Sequence, residues 1–124
     1  MEKEGYVSLF IGNLSSFEEL ENYVMQSYTE DGNLVNSEFG KDFNIEYYDD
    51  DFREVEFHNE PSRDLRVILK SFSYDEKIIP EFIGICGEHL DQEANSVILL
   101  YNFDYDGNVK ESKQFRFLGT LQYK

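Results

Sequence analysis

The run Val97-Ile98-Leu99-Leu100-Tyr101 is apolar at every position, and it constrains the fold more than any other stretch of the chain. Successive side chains of a strand point to opposite faces, so a run apolar on both parities reads as a central strand covered on both. Other segments supply its neighbours. Tyr6 to Gly12 alternates in part, with Val7, Leu9 and Ile11 on one side and Tyr6, Ser8 and Phe10 on the other. Phe52 to His58 alternates around Val55 and Phe57. Asp106-Gly107 is a favoured hairpin dipeptide, and after it Phe115, Phe117, Leu121 and Tyr123 fall on one expected face. Gln114, Arg116, Thr120 and Gln122 fall on the other, with Gly119 interrupting the row as a bulge would.

Helical patterns lie between these strands. Ser15 and Ser16 each have a Glu three residues on, Glu18 and Glu19, so either can close a capping box. Phe17, Leu20, Val24 and Tyr28 then recur at helical spacing, opposite Glu18, Glu19, Glu21, Asn22 and Gln26. Asp31-Gly32-Asn33 is turn chemistry. Ser37 to Phe43 suits a short helix weakened by Gly40 in its middle, and Asp64 to Phe72 a further one carrying Leu65, Ile68, Leu69 and Phe72. Pro80 suits the first turn of another helix, whose stripe is Ile79, Phe82, Ile83, Cys86 and Leu90. The expected fold is α+β: one domain over residues 1–124, with a mainly antiparallel sheet of about four to five strands packed against about two to three helices.

Charge decides what such a domain can meet. With 26 acidic against 11 basic side chains the net charge is −15, yet the chain carries 11 Phe and 9 Tyr. An acidic tail without such rings stays disordered; aromatic side chains bury enough area each to support a folded interior. A folded domain with an acidic surface repels nucleic acid and anionic membrane, and it attracts basic partners. No apolar run is long enough to cross a bilayer, Met1-Glu2-Lys3-Glu4-Gly5 lacks the pattern of a secretion signal, and Cys86 is the only cysteine. The expected location is the cytoplasm. Self-repulsion among like charges falls as salt screens it, so thermal stability is expected to rise between low and moderate ionic strength. A melting temperature that stays flat or falls over that range contradicts this.

The opening block Gly5-Tyr6-Val7-Ser8-Leu9-Phe10-Ile11-Gly12-Asn13, followed by Phe17-Glu18-Glu19-Leu20-Glu21-Asn22-Tyr23, resembles the immunity 22 family of bacterial polymorphic toxin systems. So do Phe43-Asn44-Ile45-Glu46-Tyr47-Tyr48-Asp49, the run Phe72-Ser73-Tyr74-Asp75 leading to Ile78-Ile79-Pro80, and Ser96-Val97-Ile98-Leu99-Leu100-Tyr101. Together they span most of the chain. Phe10 departs from the Trp often expected of this family, an exchange that preserves an aromatic packing role. The resemblance implies a cytoplasmic protein that binds and neutralises a cognate toxin made by the same cell. It assigns no catalytic or contact residues.

The densest joining of rings and carboxylates is Tyr47-Tyr48-Asp49-Asp50-Asp51-Phe52, continued by Glu54 and Glu56. Tyr supplies contact area at small entropic cost, and carboxylates pair with the Arg and Lys of a basic partner. The competing reading is a solvated charge run. Tyr74-Asp75-Glu76 is a second candidate, with helix-start chemistry as its alternative. Glu18, Glu19, Glu21 and Glu30 give a third acidic face, which solvation alone can explain.

Chemistry has less support. Asp104-Tyr105-Asp106-Gly107-Asn108 resembles the start of a calcium loop, but its glycine comes too early and the closing Glu is missing. Cys86 and His89 lie three apart, and two ligands do not make a zinc site. No nucleophile elbow, phosphate loop or metalloprotease helix occurs. The expected function is therefore an immunity protein without cofactor, metal or catalytic residues. It is expected to be a monomer that binds a toxin with a basic surface, for which a nuclease is one candidate. The alternatives are an acidic adaptor or nucleic-acid mimic for a basic host protein, and a small enzyme whose site forms only in three dimensions.

Overall fold

A computed structural model describes residues 1–124. Five strands form one antiparallel sheet: β1 (Glu2–Gly12), β4 (Arg53–Asp64), β5 (His89–Phe103), β6 (Glu111–Ser112) and β7 (Phe115–Gln122), in the order β4-β5-β1-β7-β6. A separate two-stranded hairpin joins β2 (Ser27–Tyr28) to β3 (Leu34–Val35). The helices are α1 (Phe17–Val24), α2 (Glu38–Asp42), α3 (Leu65–Ile68) and α4 (Asp75–Cys86), and a 3-10 turn spans Asp50–Phe52.

The apolar run of β5 lies inside the sheet, between β4 and β1, and it is covered on both faces as its pattern requires. Val97 and Leu99 join Val7, Leu9 and Ile11 against Leu65, Ile68, Ile78 and Phe82 of α3 and α4. Ile98 and Leu100 join Phe10 against Leu20 and Val24 of α1 and Phe39 of α2. The sheet thus separates two cores. The second is built largely of rings, with Phe10 packed edge-on to Phe39, Phe43 and Tyr105.

Local chemistry explains most boundaries. The Ser16 hydroxyl accepts from the Glu19 amide at 3.1 Å, and the Glu19 carboxylate accepts from the Ser15 amide at 2.8 Å, so α1 starts where its serines suggest. It stops at Val24, four residues short of Tyr28, because Tyr28 is drawn into the hairpin opposite Leu34. Gly32, at φ +84°, closes that hairpin and donates to the Thr29 carbonyl. Ser37 caps α2 through the Gly40 amide.

Further expectations are corrected. The helix over Asp64 to Phe72 is a single turn, ended before Ser71 at φ +80°, although Leu65, Ile68, Leu69 and Phe72 are all buried. Pro80 lies inside α4 rather than in its first turn, since the helix already starts at Asp75. It is on the exposed side, and the backbone bond it removes is the one to Glu76. Gly87 ends α4, so Leu90 and His89 belong to β5, and Cys86 points its thiol at the Leu118 carbonyl. Asp106-Gly107 does not close a hairpin, because β1 lies between β5 and β7. The tight turn is Lys113-Gln114, between paired Ser112 and Phe115. Gly107 instead lies against the Tyr105 phenol, where a Cβ would come within 2.5 Å of the hydroxyl oxygen.

Two strands are less regular than their patterns. β4 continues past Pro61 with shifted register, which an edge strand tolerates. In β7, Phe117 pairs with Phe10 but Gly119 pairs with Leu9, leaving one extra residue between them. That bulge moves the row to the opposite face: Phe115 and Phe117 pack in the ring-rich core, Leu121 and Tyr123 in the other.

Candidate functional site

One end of the sheet collects the start of β1, the end of β5, the 3-10 turn before β4 and the start of α4. Tyr101, near the end of β5, links them. It lines a small cavity with Tyr47, Asp49 and Phe52, and its ring lies 6.3 Å from Tyr74 and 5.1 Å from Tyr123. Two candidate segments more than 20 residues apart in the sequence are therefore neighbours in space.

The candidate residues do not all share one role. Tyr47 is 52% exposed, Phe52 42% and Tyr74 49%, so their rings face solvent. Tyr48 is 2% exposed and belongs to the core, a correction to its place among the contact candidates. Its hydroxyl donates to the Val24 carbonyl and lies 2.9 Å from the Ser37 hydroxyl. Burial pushes this phenol up to about 12.

Gln26 completes the anchor. Its amide nitrogen donates to the Tyr48 carbonyl at 2.7 Å and to the Asp50 carboxylate at 3.0 Å. Periodicity places Gln26 on the solvated side of a helix. It is buried here because α1 has already ended.

The carboxylates divide likewise. Asp50 is held by Gln26 and by Arg53 at 2.7 Å. Glu54 accepts from the backbone amide of Ser73 at 2.9 Å and also from its hydroxyl, so it braces the turn before α4. Asp75 accepts from the Ser71 amide at 3.0 Å, which is helix-start chemistry. Glu56 is half-buried farther along β4. Asp49 caps the 3-10 turn by accepting from the Asp51 amide at 2.9 Å, and neither Asp49 nor Asp51 has an ion-pair partner in the chain. Among these candidates, the exposed carboxylates without an ion-pair partner are thus Asp49 and Asp51.

Tyr74 is held in an unusual way. It precedes α4 in the left-handed region at φ +64°, which costs a non-glycine residue energy, and its half-exposed ring packs 4.8 Å from Tyr123. Burial, then Glu54, Tyr123 and Asp75, keep the Tyr101 phenol neutral far into the alkaline range. Tyr28, 59% exposed, lies beside the Tyr47 phenol and widens the patch. Sequence reasoning passed over Tyr28 and Tyr101, reading one as helix and the other as strand core. The signal for Tyr101 is its place at the end of the apolar run, where a strand leaves its covering helices.

The family model described as immunity protein 22 matches residues 7–124. The chain belongs to that family. Membership assigns it an immunity role and implies a toxin as its partner. No curated protein and no solved structure matches it. No helix of this immunity protein is long and apolar enough to cross a membrane. Its carboxylates form no group of three or more with His or Cys that could hold a metal ion.

Proposed function

We propose that this immunity protein neutralises its toxin by laying the aromatic and acidic end of the sheet over a positively charged working surface. The observation that carries the reading is the meeting of exposed Tyr47 and Phe52 with Asp49 at one cavity, with exposed Tyr28 beside Tyr47 and exposed Tyr74 reached through the Tyr101 ring. Interfaces concentrate their energy in such rings, while rim charges steer encounter and set its salt dependence. A nuclease suits this surface as partner, because a channel built to bind nucleic acid is basic. Binding of this kind needs no cofactor and no catalytic residue, and a monomer acting in the cytoplasm suffices.

Co-expression tests the role directly. Growth should be rescued when this chain is produced with the toxin domain encoded beside it; with both proteins soluble, continued killing would overturn the reading. The surface is tested separately by association kinetics. Asp49→Asn with Asp51→Asn keeps the cap on the 3-10 turn but removes two charges, and it should slow association about three- to tenfold at low salt. Adding Asp50→Asn should deepen the loss while also breaking the ion pair to Arg53. Unchanged rates in both variants would move the interface elsewhere.

A further inference from the structure

The cavity at the site has a volume of about 70 Å³ and lies where the 3-10 turn meets the last residues of β5. Tyr47, Phe52, Tyr101 and Phe103 contribute aromatic walls, and Glu2 and Asp49 bring carboxylates to it. One water requires about 10–15 Å³ of such space, so there is room for several waters or for the head of one long side chain. A shallower groove of about 360 Å³ adjoins it, sharing Glu2 and Tyr47 and adding Glu46.

The charge here is uncompensated. The ion pairs of the chain engage Asp104, Asp50, Glu88, Glu81 and Asp42, and neither Glu2 nor Asp49 takes part. One oxygen of Asp49 accepts the Asp51 amide, leaving the other for an outside donor. An acidic or neutral side chain entering would take these carboxylates out of water without a counter-charge, which is costly. A cation repays that cost through the carboxylates and through the electron-rich faces of aromatic rings, while its methylene stem covers apolar wall.

We propose that this cavity is the receptor for one arginine or lysine side chain of the toxin, inserted between the aromatic walls and met by Glu2 and Asp49. The inference rests on the immunity reading for the identity of the partner, but the receptor can be tested without it. The probes are N-acetyl-arginine methylamide and N-acetyl-lysine methylamide, with N-acetyl-norleucine methylamide as an uncharged control, each titrated into the isotope-labelled protein and followed by NMR.

The cationic probes should shift the amide signals of Tyr47, Asp49 and Asn102 saturably, with norleucine about five- to tenfold weaker. Glu2→Gln with Asp49→Asn should abolish that preference, and Tyr47→Leu should weaken both cationic probes. Equal binding of norleucine, shifts scattered over the whole acidic surface, or no saturable shift would overturn the proposal. Growth rescue without probe binding would remove the receptor and leave the immunity role standing. Probe binding without rescue would do the reverse.

Discussion

Phe10→Ala should lower the unfolding free energy by about 3–5 kcal/mol, a large share of what a domain of this size has to lose. Phe10 is fully buried, and its ring lies 4.9 Å from Phe39, 5.0 Å from Phe43, 5.3 Å from Tyr105 and 5.1 Å from Phe117. Those rings come from three separate segments, α2 with its cap, the stretch after β5, and β7, so no single neighbour can move in to fill the space. Phe10→Leu keeps most of the volume and should cost clearly less. Denaturant titration of both variants measures the difference. A loss below about 1 kcal/mol for the alanine variant would mean that the ring cluster collapses around the gap far more freely than its interlocked geometry implies.

Alkaline unfolding should be the second large effect. Burial pushes the Tyr48 phenol from 10.0 up to about 12, and burial first, then acidic neighbours, drives Tyr23 and Tyr101 up as well. A phenol is charged above its pKa, so a raised value in the folded state means that folding favours the neutral form. The stabilisation is fully present below the unfolded value near 10 and is lost as pH rises through the folded values. Tyr48 alone should account for about 2–3 kcal/mol by roughly pH 12, with the other two acting in the same direction. Urea unfolding followed from about pH 9 to about pH 11.5, with phenolate absorbance recorded alongside, tests the sign and the size. Stability that holds level over that range would show that these phenols ionise as readily folded as unfolded.

The parts of the fold written in short-range pattern were legible. Val97 to Tyr101 is covered on both faces, Val7, Leu9 and Ile11 share one face, and Ser16 begins the first helix. What pattern could not show was where a competing long-range partner would win. Tyr28 fits the helical spacing of Phe17 and Leu20, yet pairing with Leu34 across the hairpin takes it away. Asp106-Gly107 looks like a hairpin turn, but strand order is a property of the whole sheet, and β1 occupies the place that such a turn would need.

The exposed patch was legible only in part. The segment Tyr47 to Phe52 lies on the surface patch, but one register step separates exposed Tyr47 from buried Tyr48, and composition is blind to that step. The engagement of Glu54 by Ser73 and of Asp50 by Gln26 also depends on segments meeting in space. Among several carboxylates of equal appearance, internal hydrogen bonding decides which remain available to a partner.

The extra residue in β7 has a mechanical consequence. Because one continuous backbone supplies Phe117 to one layer and Leu121 to the other, peeling that strand away strips both layers in a single event. The two halves of the interior are thereby coupled through one strand, which favours unfolding as a single cooperative unit.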